Sequence, residues 1–238
     1  EVLPRKTVLR RSADDDDPIE RVVVANADQL VIVTALADPP PRPGLIDRCL
    51  VAAYDAGLDP LVCLTKADLA SATEIVAGLA PLDVPVVTTS AGGDLEPFRD
   101  RLRNRTSVLI GHSGVGKSTL VNALVPGANR TTSYVNEVTG RGRHTSTSGE
   151  ILDLPSGGQI IDTPGFRSFG LAHVDPTRII ESFADLAPII RDCPRGCTHL
   201  ANEPECALDL AVESGAIASA RVSSVRRILT SRAEVDEY

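Results

Sequence analysis

The chain has 238 residues, a formal net charge of −8, five cysteines and four histidines. That length accommodates one or two domains, and no apolar stretch approaches the roughly eighteen residues needed to span a bilayer, so no membrane partner and a cytoplasmic location are expected. The acidic balance excludes a broad electrostatic grip on nucleic acid and leaves only local contact, through Arg5-Lys6, Arg10-Arg11, Arg99 to Arg105, Arg141-Arg143 and Arg226-Arg227.

The chain begins with Glu1 and shows no signal-peptide pattern, so a natural start further upstream is expected. The run Asp14 to Asp17 reads as a solvated acidic linker, because four adjacent carboxylates repel one another. Beyond it, apolar strands alternate with helical stretches: a strand at Leu30 to Val33, a stiff loop at Pro39-Pro40-Pro41, a helix near Leu45 to Ala56, and strands at Pro60 to Leu64 and Val84 to Val87. Alternation of this kind predicts an α/β fold, a parallel sheet with helices on both faces.

Thr65-Lys66-Ala67-Asp68 leaves the second of these strands at the sheet edge where nucleotides bind. It is similar to the guanine-reading motif Asn-Lys-x-Asp, with Thr65 in place of Asn. A carboxylate at Asp68 accepts from both N1–H and the exocyclic amine of guanine, while the Lys66 stem lies along the ring. Adenine would leave that carboxylate unpaired. Thr88 to Gly92 follows the next strand, where the N–H of a small residue, Ser90 or Ala91, would meet the guanine carbonyl.

Ser107 to Ile110 reads as a strand running into Gly111-His112-Ser113-Gly114-Val115-Gly116-Lys117-Ser118, which fits Gly, four residues, Gly-Lys-Ser. Glycines there let backbone N–H groups turn in on phosphates, and the helix opening near Lys117 and Thr119 presents its positive end to the same anion. Lys117 would reach the β- and γ-phosphates and Ser118 would ligate magnesium. His112 reads as a tolerated variable position in the loop.

Ile151 to Leu154, Ser156 to Gly158 and Gln159 to Ile161 read as a hairpin. Asp162-Thr163-Pro164-Gly165 follows it, 45 residues beyond Lys117, where a carboxylate would join the magnesium shell and the Gly165 N–H would meet the γ-phosphate. Cys193, Cys197, His199 and Cys206 follow as Cys-x3-Cys-x-His-x6-Cys, a donor set suited to a tetrahedral structural zinc. Disulfides are the alternative, and would leave His199 without a purpose. Cys49 and Cys63 fall in apolar patterns and read as buried small hydrophobes.

The base motif precedes the phosphate loop, the reverse of the usual GTPase order and a circular permutation of it. This order, with Gly140-Arg141-Gly142-Arg143-His144-Thr145 and the zinc cluster, makes the chain resemble the RsgA (YjeQ) family of circularly permuted GTPases, over nearly its whole length. The resemblance implies GTP hydrolysis in late assembly of the small (30S) ribosomal subunit, with that subunit and its rRNA as partners, GTP or GDP, magnesium and one zinc as cofactors, and no DNA; a monomer is expected. It also implies an N-terminal RNA-binding OB barrel, of which Leu3 to Leu9 would be the last strand and the rest is absent from this chain. The expected parts are 1–17, the barrel exit and acidic linker; 18–190, the permuted GTPase domain; and 191–238, a zinc-binding helical domain. Departures from the family pattern are Thr65, the x3 spacing between Cys193 and Cys197, and an insertion before Cys206.

Phe166 stands where many GTPases keep a water-orienting glutamine, so the resemblance assigns hydrolysis to His144. Thr145, ahead of Ser146 and Thr147, would complete the magnesium shell. Two other functions compete: a metabolic kinase, for which no acceptor site is legible and which leaves Asp68 unexplained, and a guanine-nucleotide switch acting on a protein partner without the ribosome.

Overall fold

The computed structural model describes residues 4–12, 19–128, 149–165, 169–171 and 173–231. His144, Thr145, Arg141, Arg143 and Phe166 lie outside them.

The sheet is centred on one strand, β3 (Gln29–Ala35), every residue of which is buried. Strand side chains alternate between faces. Leu30 and Ile32 accordingly enter one apolar cluster, and Val31, Val33 and Ala35 the other. The neighbours repeat the pattern: in β4 (Asp59–Thr65), Val62 and Leu64 face one way and Leu61 and Cys63 the other, and in β6 (Thr106–Ile110) Val108 and Ile110 oppose Leu109. The sheet order is β5 (Val86–Thr88), β4, β3, β6, β8 (Gln159–Asp162), β7 (Glu150–Asp153). Its pairings are parallel except the β7–β8 hairpin. Pro85 stays outside the shorter-than-expected β5 and only accepts, from Val62 N–H, at 3.0 Å.

Helices cover both faces, as the alternation requires. On one lie α3 (Glu96–Leu102) and α4 (Lys117–Leu124), through Phe98, Leu102, Leu120, Val121 and Leu124. On the other lie α1 (Pro43–Ala56) and the C-terminal α5 (Pro176–Glu181), α6 (Ala207–Glu213) and α7 (Ser219–Ser231), with α2 (Thr73–Leu79) at the flank. Val222, Val225, Ile228 and Leu229 of α7 share a core with Leu30 and Ile32, so the C-terminal segment has no separate core of its own among the described residues.

A second sheet is a ribbon of β1 (Val8–Arg11) and β2 (Arg21–Ala25), antiparallel, with Arg11 directly opposite Arg21. The acidic run lies between these two paired strands, so a division after residue 17 would cut through the ribbon. Cys49 and Cys63 are 3% and 0% exposed, and burial pushes each thiol up to about 12, fitting their expected role as small hydrophobes.

Candidate functional site

The loop Gly111–Gly116 leaves β6 at its carboxyl end and enters α4. Gly111 is obligatory for steric reasons: a Cβ there would stand 2.3 Å from the Val33 carbonyl oxygen of the adjacent strand. Gly114 and Gly116 take φ of 84° and 89°, the left-handed region that side chains disfavour. Gly116 is the N-cap of α4 and offers no side-chain cap, which leaves the first helical N–H groups directed at the loop. His112 Nδ1 lies 2.8 Å from the Ser113 carbonyl, within the loop itself.

Lys117 is held at the loop mouth, its side chain 10% exposed, its Nζ donating to the Thr163 carbonyl at 2.6 Å and 3.5 Å from Asp162 Oδ1. Thr163 Oγ1 donates to the Leu109 carbonyl at 2.7 Å, which fixes the Asp162–Gly165 segment to β6. A Cβ on Gly165 would lie 3.2 Å from the Ser113 backbone nitrogen, so this segment abuts the phosphate loop. Ser118 and Thr119 open α4 beside Lys117.

The base motif joins the same edge. Thr65 is buried, and its Oγ1 donates to the Val115 carbonyl at 2.6 Å, with the Thr34 carbonyl at 3.3 Å. The residue standing in place of Asn thus ties the base motif to the phosphate loop. A hydroxyl carries one proton, and the nearer carbonyl takes it. Lys66 has φ 57° and donates from Nζ to the Asp38 carbonyl, while Asp68 is exposed. The Ala67 N–H donates to the Thr89 carbonyl at 3.1 Å and the Thr89 N–H to Leu64 at 2.7 Å, which sets Ser90 and Ala91 beside the Lys66–Asp68 turn. Thr34, Asp38, Thr89 and Thr163 contribute backbone or hydroxyl contacts that no spacing rule singles out.

Far along the chain, Cys193, Cys197, His199 and Cys206 bring their donor atoms within 4.8 Å of one another. Both Cys193 Sγ and Cys197 Sγ lie 3.5 Å from His199 Nδ1. Tetrahedral bonds of about 2.3 Å to sulfur and 2.0 Å to nitrogen place S and N about 3.5 Å apart, so the residues fit zinc. Positive φ at Gly196 (81°) and His199 (59°) makes the tight turns the spacing demands. Burial foremost raises the Cys193 thiol and pushes Cys197 up to about 11, while burial foremost lowers His199. The cation of a zinc site would reverse the thiol shifts.

Arg226 braces this cluster from α7. It forks onto Asp209 at 2.7 and 2.9 Å, donates to the His199 carbonyl at 2.9 Å and reaches Cys206 Sγ at 3.7 Å. Arg227 pairs with buried Asp47 at 2.7 Å. Arg226 is therefore largely enclosed, whereas Arg227 stays about half exposed while pairing with Asp47, and no local sequence signal marks these partners, 17 and 180 residues away.

A Gly-rich loop between a parallel strand and a helix, next to a base-reading turn that comes earlier in the chain, defines a circularly permuted P-loop GTPase fold. Comparison with known proteins agrees. The RsgA GTPase family model matches residues 2–172. A small ribosomal subunit biogenesis GTPase RsgA from Ectopseudomonas mendocina (strain ymp) is 44% identical over 245 residues, covering 99% of this chain and 70% of that protein. The protein of the same name from Pseudomonas aeruginosa (strain LESB58) is 41% identical over 243 residues, covering 98% and 70%. Among solved structures, YjeQ from Thermotoga maritima superposes with a TM-score of 0.70 at 29% identity, covering 99% of this chain and 78% of that one. YloQ, described as a circularly permuted GTPase, gives 0.66 at 26%, covering 98% and 74%. The chain belongs to the RsgA GTPase family and is a GTPase. Membership implies a guanine nucleotide and magnesium. Among the described residues no helix is long and apolar enough to cross a membrane.

Proposed function

We propose that this chain hydrolyses GTP as a late assembly factor of the small ribosomal subunit, binding the subunit and its rRNA in the GTP state and leaving on hydrolysis. The observation that carries the nucleotide half is the hydrogen-bonded junction of three loops: Thr65 on the phosphate loop and Ala67 on the Thr89 turn. It assembles one base-and-phosphate site from segments in permuted order. The ribosomal half is supported by the names of relatives at 41–44% identity.

In this reading Asp68, with Lys66, Ser90 and Ala91, selects guanine, and Gly111 to Thr119 cradle the phosphates with Lys117 neutralising the β- and γ-oxygens. Ser118, Thr145 and Asp162 would hold magnesium, whose charge offsets that developing on the phosphate oxygens. The Gly165 N–H contacts the γ-phosphate. His144 orients the attacking water, and because its loop must first be ordered, unstimulated turnover is slow. Cys193, Cys197, His199 and Cys206 would hold a zinc whose role is to fasten the segment 191–238 to the GTPase part 18–190.

Sedimentation tests the partner. With a non-hydrolysable GTP analogue the chain should travel with purified small subunits, and with GDP it should not. Absence of co-sedimentation in both states would favour a guanine switch acting on a protein partner.

A further inference from the structure

Two adjacent side chains of α1, Asp47 and Arg48, are 3% and 6% exposed, an unusual depth for charged groups. They point at opposite ends of the molecule's C-terminal half. Arg48 Nε donates to the Phe169 carbonyl at 2.9 Å, four residues beyond Gly165. Asp47 accepts from Arg227 Nε at 2.7 Å and Nη2 at 3.1 Å. The next arginine, Arg226, is the one that braces Asp209, His199 and Cys206. Beside Phe169, the Gly170 carbonyl accepts from the Ser12 N–H at 3.1 Å, so the β1–β2 ribbon grips the same three-residue segment.

We propose that α1 is a rigid coupling in which Arg48 reads the position of Phe169–Leu171 and Asp47 passes it through Arg227 to α7 and the thiol cluster. The proposal rests on the reading of Asp162–Gly165 as the nucleotide-responsive segment. Parting a buried charge from an ion-pair or hydrogen-bond partner is costly. The Arg227 fork on Asp47 thus ties α1 to α7, and Arg48 ties α1 to the carbonyl it holds. Packed helices shift as units rather than deforming, so displacement of Phe169 on nucleotide exchange is delivered to α7. Arg48 and Asp47 are positioning residues.

Continuity of contacts is not by itself coupling, so the test reads coupling directly. Hydrogen exchange by mass spectrometry is compared between the GDP and GTP-analogue states of the chain, in peptides covering 149–165, 169–171 and 207–231. In the parent chain all three should change protection with nucleotide. In Arg48→Met, which keeps the packed stem but loses the donor, the change at 207–231 should fall by on the order of fivefold, with nucleotide affinity and the change at 149–165 retained. Arg48→Lys, which can still donate, should restore it.

If Arg48→Met does not fold, Arg227→Lys, which keeps the charge but loses the fork, is read in the same way. A full nucleotide response at 207–231 in either folded variant overturns the coupling. A response at 149–165 but none at 207–231 in the parent chain also overturns it, and leaves the proposed function standing. No response at 149–165 overturns both the coupling and the switch reading beneath it.

Discussion

Thr65→Val separates two roles for the residue that replaces Asn in the base motif. The change is nearly isosteric and removes only the hydroxyl that donates to Val115 at 2.6 Å. Thr65 is 6% exposed, so the Val115 carbonyl loses its partner in a dry setting. Leaving a buried acceptor unmade costs ~1–3 kcal/mol. For a chain of this size that lowers the nucleotide-free melting midpoint by roughly 2–12 °C. The tether also holds the phosphate loop against the base turn, so GDP and GTP-analogue affinities should fall together, by up to about tenfold, with the guanine-over-adenine ratio unchanged. Differential scanning calorimetry without nucleotide and titration with labelled GDP, GTP analogue and ATP analogue measure all three. An unchanged nucleotide-free midpoint together with a collapsed guanine preference would refute the tether and return Thr65 to the base.

Asp68→Asn should cost most of the preference for GTP over ATP while leaving the midpoint of the nucleotide-free chain in place, because Asp68 is exposed; an unchanged preference would remove Asp68 from base reading. His144→Ala should leave GTP affinity near that of the parent and abolish subunit-stimulated turnover, and a normal stimulated rate would sink that assignment. Chelation, or Cys206→Ser, should release about one zinc per chain and lower the melting midpoint, whereas metal analysis finding no zinc in the purified chain would contradict the site. Hydrogen bonding from Arg221 foremost holds Asp185 below its ordinary value, and Arg226 does the same for Asp209. A depressed carboxyl stabilises above the unfolded pKa of about 3.9 and loses that stabilisation as pH falls through the lower folded value. Urea midpoints below about pH 4 should therefore fall more gently in Asp185→Asn than in the parent chain, and parallel curves would contradict this.

The sheet was legible because its central strands are apolar on both faces and three strands end at motifs with their own chemistry: Thr65–Asp68 after β4, Gly111–Ser118 after β6, Asp162–Gly165 after β8. The thiol and imidazole cluster was legible because four scarce ligand residues fall within fourteen positions. What spacing could not supply was long-range pairing. That Thr65 reaches the Val115 carbonyl depends on how closely β4 and the phosphate loop approach through β3, which only the assembled sheet decides. Arg226 and Arg227 look from the sequence like a free basic pair, and only the assembled fold gives them carboxylate partners, Asp209 for Arg226 and Asp47 for the still exposed Arg227. The acidic run suggested a boundary, yet the strands on either side of it pair with each other.

The most direct test is GTP turnover by this chain with and without purified small ribosomal subunits, with ATP as the control. Slow GTP hydrolysis alone, strongly accelerated by the subunits and absent with ATP, is the expected result. Turnover of GTP that the subunits leave unchanged would contradict a role in their assembly.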